Sequence, residues 1–578
     1  MTPKKKDFGY KKLKNKMANI SIHGSHNGGI VVEDNGEIIV VIEFERFFNS
    51  KNSGISQYKT HRYPMLAMQT VLDWIEKTYG YNKFENCYFS SSDFIGEDIN
   101  RDYKTHQLID MIDVENRIHC WHHESHAYNV FYQSDYEESL IFSFDGGGDD
   151  GKFNIYLAKR GEDIERLEQV INPVLKQNHI YYDLGFPYMI FGQYFGDIKE
   201  EWIADGNLVW PGKIMGLAPY GDVNEEWLPD FIEFFKSNPD GTNDDYQDKL
   251  NILGEKIGVE FNIHNKLTGQ VEYDVAATAQ RAFEDAFLEV ALPYFEKYPE
   301  LPICVAGGCG LNITLNTRLM EEFGKEVFVG PNPSDCGLVT GHILKHMRPE
   351  KGADITYKGL PILDEDLLGE YIGQYPTVKK IMDYDENFHY FEQIEFDSII
   401  DDIVDGKIIG LVQRNSEHGP RALGNRSILC NPTILEMQDI LNAKVKHREW
   451  YRPFAPIVRK EDVSEYFEFS GDSRWMTFSP QVKEEWKEKL PAITHVDGSS
   501  RVQTVTEEQN PFIYKLLTEF KKKTGVGVLV NTSFNVNGKP ILSTYKDAFE
   551  IYNHTELDAL ILNGLYIKKH ELWLITQQ

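Results

Sequence analysis

No apolar run in the 578-residue sequence approaches the roughly 18–20 residues that cross a bilayer, and no apolar segment follows the lysine-rich start as a secretory signal would require. The chain is therefore expected to work in the cytoplasm, with no membrane partner. Cysteine is scarce. The six residues Cys87, Cys120, Cys304, Cys309, Cys336 and Cys430 stand at long, irregular gaps with no CxxC pair. That spacing argues against a zinc knuckle and a disulfide framework, and for reduced thiols. No GxxxxGK[ST] loop is present, so the P-loop reading has nothing to carry it. Positive charge is in deficit: 60 lysines and arginines face 90 aspartates and glutamates, a formal net charge of −30. Phosphate backbones would be repelled over most of such a surface. The exception is the cluster from Lys4 to Lys16, which reads as a basic arm over residues 1–17.

At roughly 100–200 residues per domain, this length provides about three or four lobes, enough to bury large cores without covalent staples. Two segments share one pattern. Ile20–His26, Gly29–Gly36 and Glu37–Phe44 read as strand, glycine turn, strand, Asn-Gly hairpin, strand. Leu140–Asp145, the glycine run Gly146–Gly151, Lys152–Leu157 and Glu165–Val170 repeat it. In both, the first strand ends in polar groups at a glycine-rich tip. A duplicated three-strand meander of this kind is expected of a two-lobed, actin-like (ribonuclease-H-like) α/β fold whose tips share a cleft. Tyr63–Tyr79 and Ala276–Leu292 have helical spacing, the second ending at Pro293. Residues 18–350 form the first part on this reading, 351–383 a polar linker, and 384–578 a second α/β domain.

Four constellations carry chemistry. In Trp121-His-His-Glu-Ser-His126, set in helix-compatible sequence on both sides, His122 and His126 stand at i and i+4 and share one helical face. Two imidazoles so placed can grip one metal; an HExxH zinc-protease site would need a histidine where Ala127 stands. A surface histidine cluster is the bland alternative. Asp145 and Asp335 each end an expected strand beside glycine, where a carboxylate projects into a cleft; alone, each reads as an ordinary turn aspartate. Joined to the histidine pair they make a two-His, two-Asp set suited to iron, manganese or zinc rather than magnesium. In Ala306-Gly-Gly-Cys-Gly-Leu-Asn312, glycines after a strand allow backbone to approach phosphate or ribose. Finally, Arg421 and Arg426, then Lys446, Arg448 and Arg452, and Arg501 lie in turns of an otherwise acidic chain, with Ser533 in Asn531–Asn535. Guanidinium forks match phosphate; scattered salt-bridge partners are the alternative reading.

Taken together, His122–His126, Pro211–Gly221, Gly419–Ser427, Tyr451–Pro456 and Asn531–Asn535 resemble the nodulation-protein-U and tobramycin-type O-carbamoyltransferases, over residues 18–570. The resemblance implies an N-terminal part similar to the universal tRNA threonylcarbamoyl-transferase and a C-terminal part similar to the threonylcarbamoyl-adenylate synthase. It implies that carbamoyl phosphate and ATP, with magnesium, give carbamoyl-adenylate in the C-terminal part, whose carbamoyl group passes to an acceptor hydroxyl at the N-terminal metal site. By the same resemblance His122, His126, Asp145 and Asp335 bind Fe(II) or another divalent transition metal. Arg421, Lys446, Arg452, Arg501 and Ser533 form the carbamoyl-phosphate and ATP pocket, with Arg501 and Ser533 catalytic. Gly307, Gly308 and Asn312 hold the adenylate, and His26 is the acceptor-side base. The chain departs from the family pattern at Asn27, where an aspartate is usual, and at Phe44, where a glutamate is usual; both are expected near the acceptor.

A sugar, antibiotic or metabolite hydroxyl is the expected acceptor, with 5-hydroxymethylcytosine in DNA the alternative that the basic arm leaves open. A homo-oligomer is compatible with the sequence. An actin-like binding ATPase would explain the duplicated meander but neither the cation-rich turns nor the histidine pair. A metallohydrolase would use the histidine pair but fails on its register.

Overall fold

The strand Ala18–His23 (β1) alternates Ala18, Ile20 and Ile22 with Asn19, Ser21 and His23. The alternation sends one set to each face of a sheet, and here both faces are covered. Ile20 and Ile22 pack with Met68, Val71 and Ile75 of helix Pro64–Tyr79. Ser21 on the other face meets His342 Nδ1 at 2.8 Å, a partner that removes the cost of burying the hydroxyl. The computed structural model describes residues 17–55, 63–90, 103–170, 181–199, 206–237, 243–372, 378–380 and 396–569. The basic arm, but for Met17, lies outside them.

β1 is followed by β2 (Gly29–Asp34), β3 (Glu37–Glu43), the one-turn helix α1 (Phe44–Phe47), α2 (Pro64–Tyr79), β4 (Phe84–Ser90), α3 (Tyr103–Ile109), β5 (Val114–His119) and α4 (His122–Gln133). The sheet order is β3-β2-β1-β4-β5, antiparallel within the meander and parallel from β1 outward. A second sheet repeats this order. β8 (Glu165–Val170), β7 (Gly151–Lys159) and β6 (Glu138–Gly148) form its meander, and strands Ile303–Ala306 and Val327–Phe328 extend it in parallel. Two copies of one five-strand order in one chain are the duplication expected of the actin-like architecture. The C-terminal sheet has eight strands and mixed direction. Helices Asp397–Val404 and Pro511–Thr524 pack in the core on one side, and helix Tyr545–His554 joins the core on the other.

Two local expectations are corrected. The helix expected to stop at Pro293 runs from Gln270 to Lys297 with Pro293 inside it. Proline forfeits one backbone bond there, but Phe295 beyond it is buried against Phe142 and Phe323, and that packing carries the last turn. The sequence before the histidine cluster is strand β5 rather than helix, and α4 begins at His122 itself. In the stretch read as a linker, Lys358 accepts a bond from Val41 of β3 at 2.7 Å. Leu360 then enters the N-terminal core and Ile362 the C-terminal core.

Candidate functional site

The first turn of α4 leaves backbone N–H groups without helical partners. The glycine-rich tip between β6 and β7 supplies them with acceptors. Asp149 Oδ1 takes the His122 N–H at 2.9 Å, and Asp150 takes those of His123 at 2.7 Å and Glu124 at 3.2 Å. Carboxylates at a helix N-terminus also suit its dipole. Gly148 is needed for this approach, since a Cβ there would lie 2.5 Å from the His122 ring. With α4 so fixed, His122 and His126 project side by side, their Nε2 atoms 3.2 Å apart.

Asp145 sits where β6 loses register with β7, and Asp335 opens the turn after strand Val327–Phe328. Asp145 Oδ2 lies 2.9 Å from His122 Nε2 and 3.2 Å from His126 Nε2; Asp335 Oδ1 lies 3.6 Å from each. All four side chains are buried. Bonds of about 2.0–2.2 Å in a tetrahedron would place ligand atoms about 3.3–3.6 Å apart. The two Asp335 spacings match and the others are shorter by about 0.1–0.4 Å, so small side-chain shifts would let this mixed nitrogen–oxygen set hold a divalent transition metal. Burial opposes a charged imidazole, but the carboxylates of Asp145 and Asp335 outweigh it and push His122 up to about 10. Burial likewise opposes the Asp145 carboxylate, yet His123 and His122 hold it well below its usual range. His26, half-buried, faces the cluster with Nδ1 3.5 Å from Asp335 Oδ2.

The glycine turn borders this cluster. Gly308 faces Asp145, its would-be Cβ 3.6 Å from that of the aspartate. Gly307 has a φ of 85°, and a Cβ there would meet the Phe144 carbonyl oxygen at 2.2 Å, so glycine is required for packing alone. Asn312 caps helix Ile313–Glu321 through the Leu315 N–H at 3.0 Å and exchanges two hydrogen bonds with Gln280. Its amide therefore shapes the wall of the turn.

In the C-terminal part, Arg421, Lys446, Arg448, Arg452 and Arg501 form one electrostatic cluster. Burial and Arg452 lower Arg421 to about 10; burial, Arg421 and Arg452 lower Arg501 well below its ordinary value. Neither Arg421 nor Arg501 makes a hydrogen bond or ion pair with another described residue. Cations without counter-ions among the described residues, as Arg421 and Arg501 are, suit an anionic ligand. Lys446 donates to Ser533 O at 2.6 Å and Asn535 Oδ1 at 2.5 Å, and so holds the Ser533–Asn535 turn at the cluster's edge. Arg452 lies 3.5 Å from Glu449. Arg426, in contrast, is fully buried and spends its guanidinium on the carbonyls of Gln413, Arg414 and Asn425.

The two parts meet at their motifs. Tyr451 is buried in the N-terminal core, against Gly216, and His495 Nε2 contacts the Gly216 carbonyl at 3.0 Å. Of the two departures, Asn27 takes a left-handed turn conformation with φ 52°, which asparagine tolerates. Phe44 is fully buried in the N-terminal core. It does not line the cleft: α1 turns it inward, as an apolar ring requires.

Sequence reasoning missed Asp149 and Asp150 as caps of α4, and Lys51, whose charge adds to the repulsion on Lys446 from the N-terminal part. Two aspartates after a glycine run were visible, but the helix they cap precedes them by 27 and 26 residues. Nothing local marked Lys51.

Residues 68–344 match the family model for the carbamoyltransferase N-terminus, and residues 400–569 match that for the carbamoyltransferase C-terminus. The chain is 33% identical over 465 residues to nodulation protein NolO of Bradyrhizobium diazoefficiens, covering 78% of each chain. It is 32% identical over 314 residues to a 3'-hydroxymethylcephem-O-carbamoyltransferase of Streptomyces clavuligerus, covering 53% of this chain and 56% of that one. Among solved structures, full-length HypF in its phosphate- and nucleotide-bound form aligns with 58% of this chain and 47% of its own, at 11% identity and a TM-score of 0.34. No helix among the described residues is long and apolar enough to cross a membrane.

Proposed function

Because the chain belongs to the carbamoyltransferase family, we propose that it works as an ATP-dependent O-carbamoyltransferase with carbamoyl-adenylate as its intermediate. The observation that carries this reading is the pairing in one chain of a cation cluster, in which Arg421 and Arg501 have no partner among the described residues, with a separate two-His, two-Asp centre. In the first site, carbamoyl phosphate and water give carbamate and phosphate. Carbamate oxygen then attacks the α-phosphorus of magnesium-bound ATP, releasing pyrophosphate. Arg421, Arg452 and Arg501 hold the phosphate oxygens, offsetting charge that grows on the transferring group. Lys446 and Ser533 fix the turn beside them.

At the second site the acceptor oxygen bonds to the carbamoyl carbon, the bond from that carbon to the adenylate oxygen breaks, and AMP leaves with the electron pair. The acceptor proton passes to His26, the half-buried imidazole facing the cluster. His122, His126, Asp145 and Asp335 would hold a divalent transition metal, iron by preference, whose charge stabilises the leaving phosphate. Gly308, beside Asp145, would let the protein backbone approach the adenylate phosphate closely.

The acceptor is proposed to be a hydroxymethyl or sugar hydroxyl on a small molecule. A relative named for a hydroxymethyl-cephem and the net charge of −30 both support this. The decisive experiment measures ATP-to-pyrophosphate turnover with and without carbamoyl phosphate, then screens acceptors by mass spectrometry for a carbamoyl gain. Hydroxymethylcytosine DNA is included as one arm. Pyrophosphate release that ignores carbamoyl phosphate would sink the reading, and product on DNA alone would replace the small-molecule acceptor.

A further inference from the structure

Arg46 lies in the N-terminal part, on α1, and the residue is 2% exposed. Its Nε lies 2.7 Å from Glu43. Its other two nitrogens donate to backbone carbonyls of the C-terminal part, Nη1 to Glu417 O at 2.5 Å and Nη2 to Gly419 O. Glu43 completes the link by accepting the Gly419 N–H at 3.2 Å. Gly419 opens the turn that carries Arg421.

The same turn is held from the metal side. His418 Nε2 contacts the carbonyl of Cys336, the neighbour of Asp335, at 3.0 Å, and its Nδ1 contacts Asn332 at 3.1 Å. Gly419 has a φ of 109°, and a Cβ there would lie 2.1 Å from the Pro331 carbonyl oxygen. Glu417 is fully buried and ties the far end of the loop by accepting the N–H groups of Leu423, Asn425 and Arg426. Glu43, Cys336 and His418 lie close enough to suggest a second metal site. However, both ring nitrogens of His418 are engaged and Arg46 already pairs with Glu43.

Five hydrogen bonds thus bind one loop to two N-terminal segments. One is the strand end that carries Glu43; the other is the turn that carries Asp335. A guanidinium is suited to this task, since its planar fork reaches one carboxylate and two carbonyls at once and stays charged when buried. We propose that Arg46 is a positioning residue that locks the anion-binding loop to the metal centre, so that carbamoyl-adenylate is transferred rather than lost to water. This rests on the two-site reading above. The loss it prevents is hydrolysis: water oxygen bonds to the carbamoyl carbon, the bond to the adenylate oxygen breaks, AMP departs with the electron pair, and the carbamate formed decays to carbon dioxide and ammonia.

The test uses the full chain and no acceptor. Wild-type protein given ATP, magnesium and carbamoyl phosphate should release a burst of pyrophosphate and then turn over slowly. In Arg46→Met the slow phase should rise at least tenfold, with AMP formed in step with pyrophosphate. Arg46→Lys, which keeps the charge near Glu43 but cannot span both carbonyls, should fall between. A general folding defect would shrink the burst and not accelerate the leak, so an unchanged or reduced leak in both variants overturns the proposal. Backbone hydrogen exchange of residues 417–426 and 331–337 gives a readout independent of the chemistry. Both segments should loosen together in Arg46→Met, and loosening confined to 417–426 would refute the link to the metal turn. If wild-type protein forms no pyrophosphate, the two-site reading fails, while the exchange data still decide what Arg46 holds.

Discussion

Lys213 Nζ lies 2.7 Å from Glu449 Oε1 with both side chains about 1% exposed, and this buried ion pair joins the N-terminal motif Pro211–Gly221 to the residues just before the C-terminal motif Tyr451–Pro456, at the surface where their parts meet. Removing one partner of such a pair leaves an uncompensated buried charge, a cost of about 3–5 kcal/mol. Lys213→Met should approach that loss in unfolding free energy, with Arg452, near Glu449, limiting it. The double variant Lys213→Met, Glu449→Leu should recover most of it, as a double-mutant cycle in denaturant would read. A double variant destabilised by the sum of the two single losses would mean the pair does not couple the parts.

The metal centre should be separable from the activation site. His126→Ala should abolish carbamoyl transfer and lower metal content in the purified protein, while some carbamoyl-phosphate-dependent pyrophosphate release remains. Gly148→Ala tests the same centre without deleting a ligand. The added methyl would meet the His122 ring at 2.5 Å, so metal affinity should fall at least tenfold. Full product formation by either variant would contradict the assignment.

The cation cluster should fail in the opposite way. Arg501→Ala removes a guanidinium that has no partner among the described residues, and the loss of its contact with a desolvated phosphate costs about 2–5 kcal/mol. Carbamoyl-adenylate formation should drop accordingly, in Ser533→Ala as well, and chemically made carbamoyl-adenylate should restore product. Normal turnover of carbamoyl phosphate by these variants would remove the cluster from the mechanism.

Glu272 provides a test on stability. It is fully buried, accepts the Asp197 N–H at 2.9 Å through Oε1, and burial pushes its carboxyl up to about 7 from the ordinary 4.5. The folded state therefore holds a proton that the unfolded state releases between these values. Stability contributed at low pH is lost as pH rises from about 4.5 to 7, and the penalty is complete above 7. Glu272→Gln keeps the acceptor and removes the titration. Its stability relative to wild type should grow across that window and then level off, by at most about 3 kcal/mol. A difference that stays flat from pH 5 to 8 would show that Glu272 ionises freely.

Local sequence determined those features that depend on neighbours along the chain. The alternation in Ala18–His23 and Leu140–Phe144, with glycine tips, fixed both meanders, because strand period is a property of the backbone. The i, i+4 spacing put His122 and His126 on one face of α4 before any tertiary contact was known. Tertiary structure alone decided what those faces meet. Asp335 reaches His126 from 209 positions away because the strand Ile303–Ala306 pairs in parallel with β6 on one side and with Val327–Phe328 on the other. The helix through Pro293 and the inward turn of Phe44 likewise follow from packing, which outweighed a proline stop and a family pattern. Arg46 takes its partners from a loop more than 370 residues away. Periodicity sets which way a side chain leaves its own element; only the folding of distant elements onto one another sets the charge, carbonyl or metal ligand it finds there.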